Sequence, residues 1–393
     1  MPEDPLIRKL LLPELRFSHT SHKPNSATTH VWAVKESGAE VCPRCATQSE
    51  SVYDTRVVKL KDAPIREGNI WLHVRKRRFM CKPCGKPFTE PVPGVKKGAR
   101  STQRYHRSLL WACENFSDLS AVRRQYRCSF GTVYKTLYTQ LELNRKKRQH
   151  PWPKVIGIDE HFFRHNKGYR QFVSMIVDYK GRNLMELVEG RSVAELELAL
   201  KHIPGRDNVR FVAMDLCEPF RSFTQNFFPN ATIVADHFHV VRLLHPAINR
   251  RRKAITGDKR SLLIRRLLLC NGASLQTNER WMIERWLNLH PELHEVYRYK
   301  EALHSLYRTR GLRRASAAFT AMTDRMATSQ LQEIQTLRRT LMRWRNEILA
   351  YFATSITNAR TEGFNNKAKL VKRRGYGYRS FRNYRLRLLN ACA

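Results

Sequence analysis

The chain alternates between short apolar runs and longer stretches of helical period. Between residues 154 and 241, apolar runs bounded by glycine and polar turns indicate strands, and two amphipathic stretches indicate helices. In order, the pattern predicts a strand at 154–163, a hairpin of strands at 169–179 and 183–190, a helix at 192–203, a strand at 209–216, a helix at 217–228 and a strand at 231–241. This order predicts an α/β domain of the ribonuclease-H-like, or retroviral-integrase-like, class.

Helical period dominates the sequence that follows. From His239 to about Ala353 the pattern is wholly helical, with arginine-rich faces. One more polar motif, TEGFNNKAKLVKRRGYGY at 361–378, comes after it. We therefore predict a large all-α insertion within the α/β domain, followed by a last helix of that domain.

Two Cys-x-x-Cys pairs precede the α/β pattern. Cys42 and Cys45 form the first pair, and Cys81 and Cys84 form the second. Two residues between thiolates let both sulfurs reach one tetrahedral zinc ion at about 2.3 Å. The segment between the pairs alternates as a strand does, so the pattern predicts a zinc ribbon with one structural Zn²⁺. Four reduced cysteines in a small core are the less favoured alternative.

Residues 103–145 have the pattern of helices joined by a short turn. Ser117 and Ser129 stand where helix N-caps are expected, and Arg127 stands where a turn glycine is common. The pattern fits a helix-turn-helix, although any short helical hairpin gives a similar one. The residues that its second helix would present to a DNA groove are Ser129, Thr132, Tyr134 and Lys135.

Positive charge favours the DNA-binding interpretation. The chain has 72 Lys and Arg against 34 Asp and Glu, a formal net charge of +38. A surplus of this size destabilises a compact fold unless a polyanion neutralises it, which predicts nucleic acid as the partner. The further candidate contacts are Arg75, Lys76, Arg77, Arg78, Asn365, Lys369, Lys372, Arg373 and Arg374. No apolar run approaches the roughly 20 residues of a membrane span and no signal peptide opens the chain, so we expect a soluble, cytoplasmic protein.

These patterns divide the chain into six segments. They are a partly ordered lead at 1–38, a zinc ribbon at 39–98, a helix-turn-helix at 99–150, the first part of the α/β catalytic domain at 151–245, the helical insertion at 246–353, and the C-terminal helix of the catalytic domain with a basic tail at 354–393.

Two aspartates are placed on strands of the predicted α/β domain. A ribonuclease-H-like sheet performs phosphoryl transfer with two Mg²⁺ ions about 4 Å apart, and such hard cations bind carboxylate oxygens. Asp159, in GIDE, lies on the first strand, and Asp215, in FVAMDL, ends the neighbouring fourth strand. A helix N-cap role is the alternative for Asp215. Glu160 points to the face opposite Asp159, so we expect a surface or supporting role for it.

Glu362 supplies a third carboxylate from the C-terminal helix. At helical spacing one face carries Asn358, Glu362, Asn365 or Asn366, and Lys369, and another, which can pack on the sheet, carries Phe364, Ala368 and Val371. One acid among amides and bases is the pattern expected of a metal ligand beside a phosphate backbone. An exposed helix with an isolated glutamate is the alternative.

The stretch IVADHFHVV sets Asp236, His237 and His239 into an apolar strand. Burying such groups costs several kcal/mol unless they are paired or bind a metal. Because the fifth strand lies one strand further out, Asp236 is roughly 5 Å further from Asp159 than Asp215 is. We therefore predict Asp215 as the second metal ligand and Asp236 as its neighbour, with His239 as the partner of Asp236 and His237 as a structural histidine.

Together these motifs resemble a known family. GIDEHFF, the MDL strand, PNATIVADHFHVV and ARTEGFNNKAKLVKRRGYGYRSF resemble the DDE transposases of bacterial insertion sequences, specifically the ISL-three family. CPRC and CKPC followed by a helix-turn-helix resemble that family's N-terminal half, so the likeness covers about residues 40–390. The resemblance implies a catalytic triad of Asp159, Asp215 and Glu362, with an Asp-x-x-His signature formed by Asp236 and His239.

The resemblance also implies an activity. Such an enzyme binds the terminal inverted repeats of its element in double-stranded DNA, cuts the strands with water as nucleophile, and joins the freed 3′-hydroxyl to target DNA. It implies two Mg²⁺ ions, for which Mn²⁺ can substitute, a homodimer or larger assembly on DNA, and action at the bacterial nucleoid. The alternatives are a catalytically silent DNA-binding regulator, against which the three intact carboxylates argue, and a structure-selective nuclease that cuts without joining.

Overall fold

The computed structural model forms two compact units. It describes residues 12, 14–22, 26–65, 68–115, 118–166, 169–257 and 263–393. The first unit contains residues 1–144 and 374–377, and the second contains residues 145–373 and 378–393. No helix in these ranges is both long enough and apolar enough to cross a membrane.

The first unit is built on an antiparallel sheet with one parallel pair. Its strands are β1 (Leu15–His22), β2 (Thr28–Lys35), β3 (Glu40–Val41), β4 (Gln48–Ser49), β5 (Val52–Ile65), β6 (Gly68–Cys81) and β7 (Lys86–Thr89). The main sheet has the order β1-β2-β6-β5, with β7 also paired to β6, and β3 and β4 form a separate two-stranded sheet. Only β2 and β6 are parallel in the main sheet.

Strands β1 and β2 lie within the segment that we expected to be a partly ordered lead. Val31 and Ala33 of β2 are buried in the same core as Leu72 and Val74 of β6. The alternation of buried and exposed residues predicted along β6 is therefore present, and it continues across the sheet into β2. These two strands were not predicted because histidine and tryptophan occupy the positions on the side away from the core. Such residues hide the alternation of apolar and polar positions that indicates a strand.

Three helices follow the sheet: α1 (Gln103–Asn115), α2 (Leu119–Tyr126) and α3 (Phe130–Arg148). Asp118 caps α2, its carboxylate accepting a hydrogen bond from the backbone N–H of Ala121 at 2.6 Å. The predicted cap Ser117 lies outside the described residues. Ser129 precedes α3, and its Oγ accepts from the backbone N–H of Thr132 at 3.2 Å, as an N-cap does.

Arg127 ends α2 in the left-handed conformation that glycine usually adopts, with φ 42°. Lys61 of β5 donates from Nζ to the carbonyls of Tyr126 at 2.5 Å and Arg127 at 2.7 Å. These bonds satisfy carbonyls that the end of the helix leaves without partners. A lysine from the sheet thus supports a turn whose sequence lacks glycine.

The second unit contains a five-stranded mixed sheet. Its strands are β8 (Val155–Asn166), β9 (Tyr169–Asp178), β10 (Asn183–Glu189), β11 (Phe211–Met214) and β12 (Thr232–Ala235). Their order is β10-β9-β8-β11-β12, with β8, β11 and β12 parallel and β9 antiparallel to both β8 and β10. The predicted succession of strands is confirmed.

The last predicted strand is too long. We expected it to reach residue 241, but β12 ends at Ala235 and a helix begins at His237. The carbonyl of Asp236 accepts hydrogen bonds from the backbone N–H groups of His239 and Val240, both at 3.2 Å. Apolar content at this point comes from a buried helical turn, which a short apolar run does not distinguish from a strand.

Helices cover both faces of this sheet. One face packs against α4 (Val193–Leu200) and α5 (Glu218–Phe227), through the aromatic core of Phe220 and Phe223. The opposite face packs against α14 (Ala359–Arg374) and α15 (Phe381–Ala391). Phe364 and Ala368 are buried there with Val371 against them, as the spacing predicted.

Eight α-helices are described between β12 and α14, a stretch in which residues 258–262 lie outside the described ranges. They are α6 (His237–Val241), α7 (His245–Thr256), α8 (Leu263–Leu269), α9 (Thr277–Asn288), α10 (Pro291–Arg308), α11 (Leu312–Ala327), α12 (Gln332–Arg343) and α13 (Arg345–Thr354). They share one core, which also contains Ala235 at the end of β12. The α-helical region therefore begins directly at the edge of the sheet.

Candidate active site

The neighbouring parallel strands β8, β11 and β12 each place an aspartate at the same level of the sheet. The aspartate of β8 lies within the strand, and those of β11 and β12 come directly after the strand ends. Met214 of β11 pairs in register with Ile158 of β8 and with Ala235 of β12. The next residues are Asp159, Asp215 and Asp236, so Asp215 lies between the other two. The strand order places Asp236 one strand beyond Asp215, as predicted.

Asp159 is buried and held by two hydrogen bonds. Its side chain accepts from the backbone N–H of Glu160 at 2.7 Å and from Nδ2 of Asn365 at 2.6 Å. Burial, and then the nearby Asp215, raise the pKa of Asp159 to about 7 in spite of these bonds. Nearby positive charge is therefore needed to keep this carboxylate ionised at neutral pH.

His239 lies between the other two aspartates. Its Nδ1 is 2.9 Å from Oδ1 of Asp215 and 2.9 Å from Oδ2 of Asp236. Burial lowers the pKa of His239, but the hydrogen bonds and charges of both carboxylates outweigh it and raise that pKa to about 10. Burial raises the pKa of Asp236, and bonds from His239 and the backbone of Asn358 bring it below its usual value. The predicted partner of Asp236 thus also contacts Asp215.

Two neighbours of the aspartates face other groups. Glu160 forms an ion pair with Arg191, with 3.0 Å between Oε2 and Nη1. The ring of His237 packs against the rings of Tyr307 and Tyr351, each at 5.5 Å between centroids. His237 also lies beside Asp236, with 3.9 Å between its Nδ1 and Oδ1 of Asp236. Glu160 instead has its partner outside the group of aspartates.

The beginning of α14 is held against these strands. The backbone N–H of Asn358 donates to Oδ1 of Asp236 at 3.2 Å, and the Asn358 side chain accepts from the hydroxyl of Tyr179 at 3.0 Å. Gly157 makes this approach possible, because a Cβ there would lie 2.6 Å from the Tyr179 ring and 2.7 Å from Oγ1 of Thr361. Gly157 lies two residues before Asp159, on the same face of β8. Its lack of a side chain lets α14 pack closely against this strand.

Glu362 is exposed in the first turn of α14, three residues before Asn365. The group of potential metal ligands whose atoms lie within 4.8 Å of one another is Asp215, Asp236 and His239. Within the described ranges, no such group of three includes Glu362. The structure brings Asp159, Asp215, Asp236 and His239 together and leaves the side chain of Glu362 in solvent.

Asn365 makes a contact at the site that its sequence did not reveal. We expected it to contact DNA, but its amide donates to Asp159, and its Oδ1 is buried without a hydrogen-bond partner. Its position three residues after Glu362, on the same helix face, was the available signal. An acceptor oxygen without a donor, next to a buried carboxylate, fits a cation or a cation-bound water.

The four candidate DNA contacts on β6 differ in exposure and in whether they already have partners within the protein. Arg77 donates to the buried carboxylate of Glu90 from Nη2 at 2.8 Å and from Nε at 3.1 Å, and Arg78 forms an ion pair with Asp54. Arg75 is exposed, whereas Lys76 is partly buried, and burial lowers its pKa. Arg77 and Arg78 therefore have internal partners, and Arg75 has the most exposed charge of the four.

The remaining candidate contacts lie on helices. On α3, Tyr134 and Lys135 are exposed, and Thr132 is partly buried beside Ser129. On α14, the side chains of Lys369, Arg373 and Arg374 are exposed. Lys372 donates from Nζ to the carbonyl of Phe162 at 2.6 Å, so it also ties the helix to β8.

The four paired cysteines form one cluster. Their sulfurs lie within 4.8 Å of one another, with 3.4 Å between Sγ of Cys45 and Sγ of Cys81. Hydrogen bonds from Thr47 lower the pKa of Cys45 to about 6, whereas bonds with Cys45 and Cys81 raise the pKa of Cys84 to about 12. Four thiolates this close repel one another without a cation, and Zn²⁺ supplies that charge.

Comparisons with known proteins identify relatives of both parts of the chain. A family model described as a transposase, of the ISL3 (ISL-three) group, matches residues 156–388. The zinc-finger model of the transposases of IS204, IS1001, IS1096 and IS1165 matches residues 39–84. The transposase for insertion sequence element IS1001 of Bordetella parapertussis is 28% identical over 355 residues, which cover 86% of this chain and 85% of that protein.

These matches define the protein as a transposase, an enzyme class that cuts and joins DNA. The chain belongs to the ISL3 family of insertion-sequence transposases, because the family model covers more than half of its length. The resemblance identified from the motifs is thereby confirmed, as is the zinc ribbon with its four cysteine ligands.

Replacing Gly157 by alanine should push α14 away from β8. The added Cβ meets the Tyr179 ring and Thr361, so we expect the free energy of unfolding to fall by about 1–3 kcal/mol. Gly363→Ala on α14 is the control, since nothing lies within 4 Å of its added Cβ. That variant should be unchanged or up to about 1 kcal/mol more stable. Equal destabilisation of both in urea titrations would contradict the packing role of Gly157.

His239 should make the stability of the metal-free protein depend on pH. Its folded pKa, about 10, is above the unfolded value, so its stabilisation is complete below pH 6.5 and is lost as pH rises through 10. In chelator, the stability difference between wild type and His239→Gln should be largest near pH 6 and should shrink at pH 8 and 9.5. A difference that is constant with pH would refute the shared imidazolium.

Zinc should depend on the paired cysteines alone. Purified wild type should contain one zinc per chain, and Cys42→Ser with Cys45→Ser should contain none, because two thiolates do not complete a tetrahedral site. Cys128→Ser, outside the cluster, is the control and should retain one zinc. Elemental analysis after dialysis measures this, and zinc retained in the double variant would disprove the assignment.

Proposed function

We propose that this transposase binds the terminal inverted repeats of its insertion sequence in double-stranded DNA, and that it cuts and joins strands by two-metal-ion catalysis at Asp159, Asp215 and Glu362. The observation that carries the proposal is the pair of aspartates at one level of neighbouring parallel strands, one of them buried with a raised pKa. Perturbed carboxylates arranged in this way are typical of catalytic sites.

We infer that the second unit is a ribonuclease-H-like domain. Three antiparallel strands followed by two parallel ones, with β8 in the centre, support this interpretation, as do the helices on both faces. The helical region between β12 and α14 is then an insertion, and α14 is the helix that returns to the sheet with Glu362.

The residues of the site fit Mg²⁺, with Mn²⁺ as a substitute. Carboxylates of Asp159, Asp215 and Glu362, together with the buried Oδ1 of Asn365, offer the oxygen donors that such cations prefer. When bound, two such ions activate the attacking oxygen and stabilise the leaving oxygen. The raised pKa of Asp159 supports this, since positive charge at the site lowers it again.

The chain's own side chains prepare this arrangement. Asn365 and the backbone of Glu160 orient Asp159, and His239 holds a proton on Nδ1 between Asp215 and Asp236. His239 thereby keeps two like charges together before a cation binds. Glu362 is one turn before Asn365, where side chains on one face are about 5–6 Å apart at Cβ. A change of side-chain rotamer at Glu362 is the step that this proposal requires, since its backbone already lies on the helix that contacts Asp159.

Recognition of the DNA ends belongs to the first unit. We assign α2 and α3 as a helix-turn-helix, with Tyr134 and Lys135 exposed on α3. The net charge of +38 and the zinc ribbon support contact with DNA. Because an insertion sequence has two ends, we infer that a homodimer or larger assembly holds both.

Glu362→Gln should bind the ends of the element but join none of them. On a plasmid carrying the element's own ends in Mg²⁺, removal of this carboxylate should lower strand cleavage by at least about 100-fold, a loss typical of groups that stabilise the transition state. The matched control is Glu284→Gln on α9, also exposed, which should cut at the wild-type rate.

Three other outcomes would count against the proposal. Normal joining by Glu362→Gln would remove Glu362 from the triad. Binding without cleavage by wild type in Mg²⁺ or Mn²⁺ would favour a silent regulator, and cleavage without joined products would favour a nuclease.

A further inference from the structure

The main sheet of the first unit has a second face that is outside its hydrophobic core. Leu72 and Val74 of β6 point into the core, so Trp71 and His73 lie on the other side of the strand. In register, His73 pairs with Trp32 of β2 and with Lys59 of β5. We define the histidine–tryptophan face by its two cross-strand rows: His19, Trp32, His73 and Lys59, and Ser21, His30, Trp71 and Lys61.

We propose that the histidine–tryptophan face binds phosphates of the DNA backbone, as a contact surface beside the helix-turn-helix, where Lys61 meets the end of α2. This inference rests on the proposed function as a DNA transposase. It assigns to DNA a set of side chains that neither the zinc site nor the hydrophobic core uses.

The rings of the first row stand on edge. The Trp32 ring is stacked with His19 at 4.5 Å and 12°, and with His73 at 4.5 Å and 13°. The distance between ring centroids is close to the spacing of neighbouring strands. The ring planes must therefore be roughly perpendicular to the sheet. One edge of each ring therefore faces outward, and the N–H groups of imidazole and indole lie on ring edges. Phosphate oxygens accept from such donors.

The two rows contact each other through a pair of histidines and through Lys59. Nδ1 of His30 is 2.8 Å from Nε2 of His73, so one ring donates and the other accepts. Nζ of Lys59 lies 4.5 Å from the centroid of Trp71. Lys61 is engaged with the carbonyls at the end of α2, which leaves Lys59 as the exposed ammonium of the two rows.

The charge of this face favours a polyanion. Neither row contains an acidic residue, and the adjacent cross-strand pair is Arg75 with Val57. The imidazole and indole rings carry N–H donors for phosphate oxygens and bring no negative charge that would repel them. A second copy of this chain would bring its own large positive charge to the face, which opposes self-association there.

Affinity at this face should therefore rise as pH falls through the histidine range. His30 of β2 and Lys59 of β5 face His73, and Arg75 lies further along β6. On β1, His19 lies on the far side of the Trp32 ring. Burial, followed by His30 and Lys59, lowers the pKa of His73, so its protonation depends on a bound anion. Acidification and phosphate binding reinforce each other through these groups.

The test compares two matched double variants of the full chain in binding to duplex DNA. His19→Gln with Lys59→Gln removes one imidazole and one ammonium from the face, and His202→Gln with Lys201→Gln makes the same changes at exposed positions of the second unit. Fluorescence anisotropy at several salt concentrations, at pH 6 and pH 8, gives the affinity and its salt dependence.

We expect the face variant to bind at least about 10-fold more weakly than wild type at pH 6, and about 3-fold more weakly at pH 8. Its log–log salt slope should be smaller by about 2 at pH 6 and about 1 at pH 8, one unit for each lost phosphate contact. The control variant should match wild type at both pH values. Circular dichroism and zinc content should be unchanged in both.

Other results would overturn the inference in distinguishable ways. If wild type binds DNA and the face variant binds equally well, this face makes no contact and the proposed function stands. If wild type does not bind DNA, both ideas fail. If analytical ultracentrifugation shows that the face variant dissociates an assembly of the DNA-free protein, the face is an interface between copies.

Discussion

The hydrogen bond from Asn365 to Asp159 is the contact on which the candidate site depends. It joins a helix near the end of the chain to the central strand of the sheet, across the α-helical region that separates β12 from α14. Gly157 gives the helix room, and the backbone of Asn358 fixes its beginning against Asp236. The position of Glu362 relative to the aspartates therefore depends on how α14 is attached to the sheet.

Electrostatics governs how the three aspartates share one site. Three aspartates at one level of adjacent strands repel one another, and burial adds to the cost of their charge. His239 offsets this by placing one proton between Asp215 and Asp236, while Asp159 has a pKa near neutrality. The carboxylates of this site can bind cations. The net positive charge of the whole chain, by contrast, attracts DNA.

The strand order and the zinc ribbon were predictable because both follow from periodicity and spacing. The alternation in β6, the Cys-x-x-Cys pairs and the packing face of α14 are each local patterns. The bond of Asn365 to Asp159 and the shared contact of His239 were not predictable, since they depend on side-chain directions between distant segments. The placement of β1 and β2 was missed because aromatic residues on one face obscured the alternation, and the end of β12 was missed because helix and strand look alike in a short apolar run.

The most direct test of the account is to locate metal ions in the protein bound to one end of its element. Crystals grown with Mn²⁺ and a non-cleavable DNA end would show the ions by anomalous diffraction. We expect two ions about 4 Å apart among Asp159, Asp215 and Glu362, with the side chain of Glu362 directed toward the aspartates. A single ion held by Asp215, Asp236 and His239, with Glu362 still in solvent, would contradict the proposed triad.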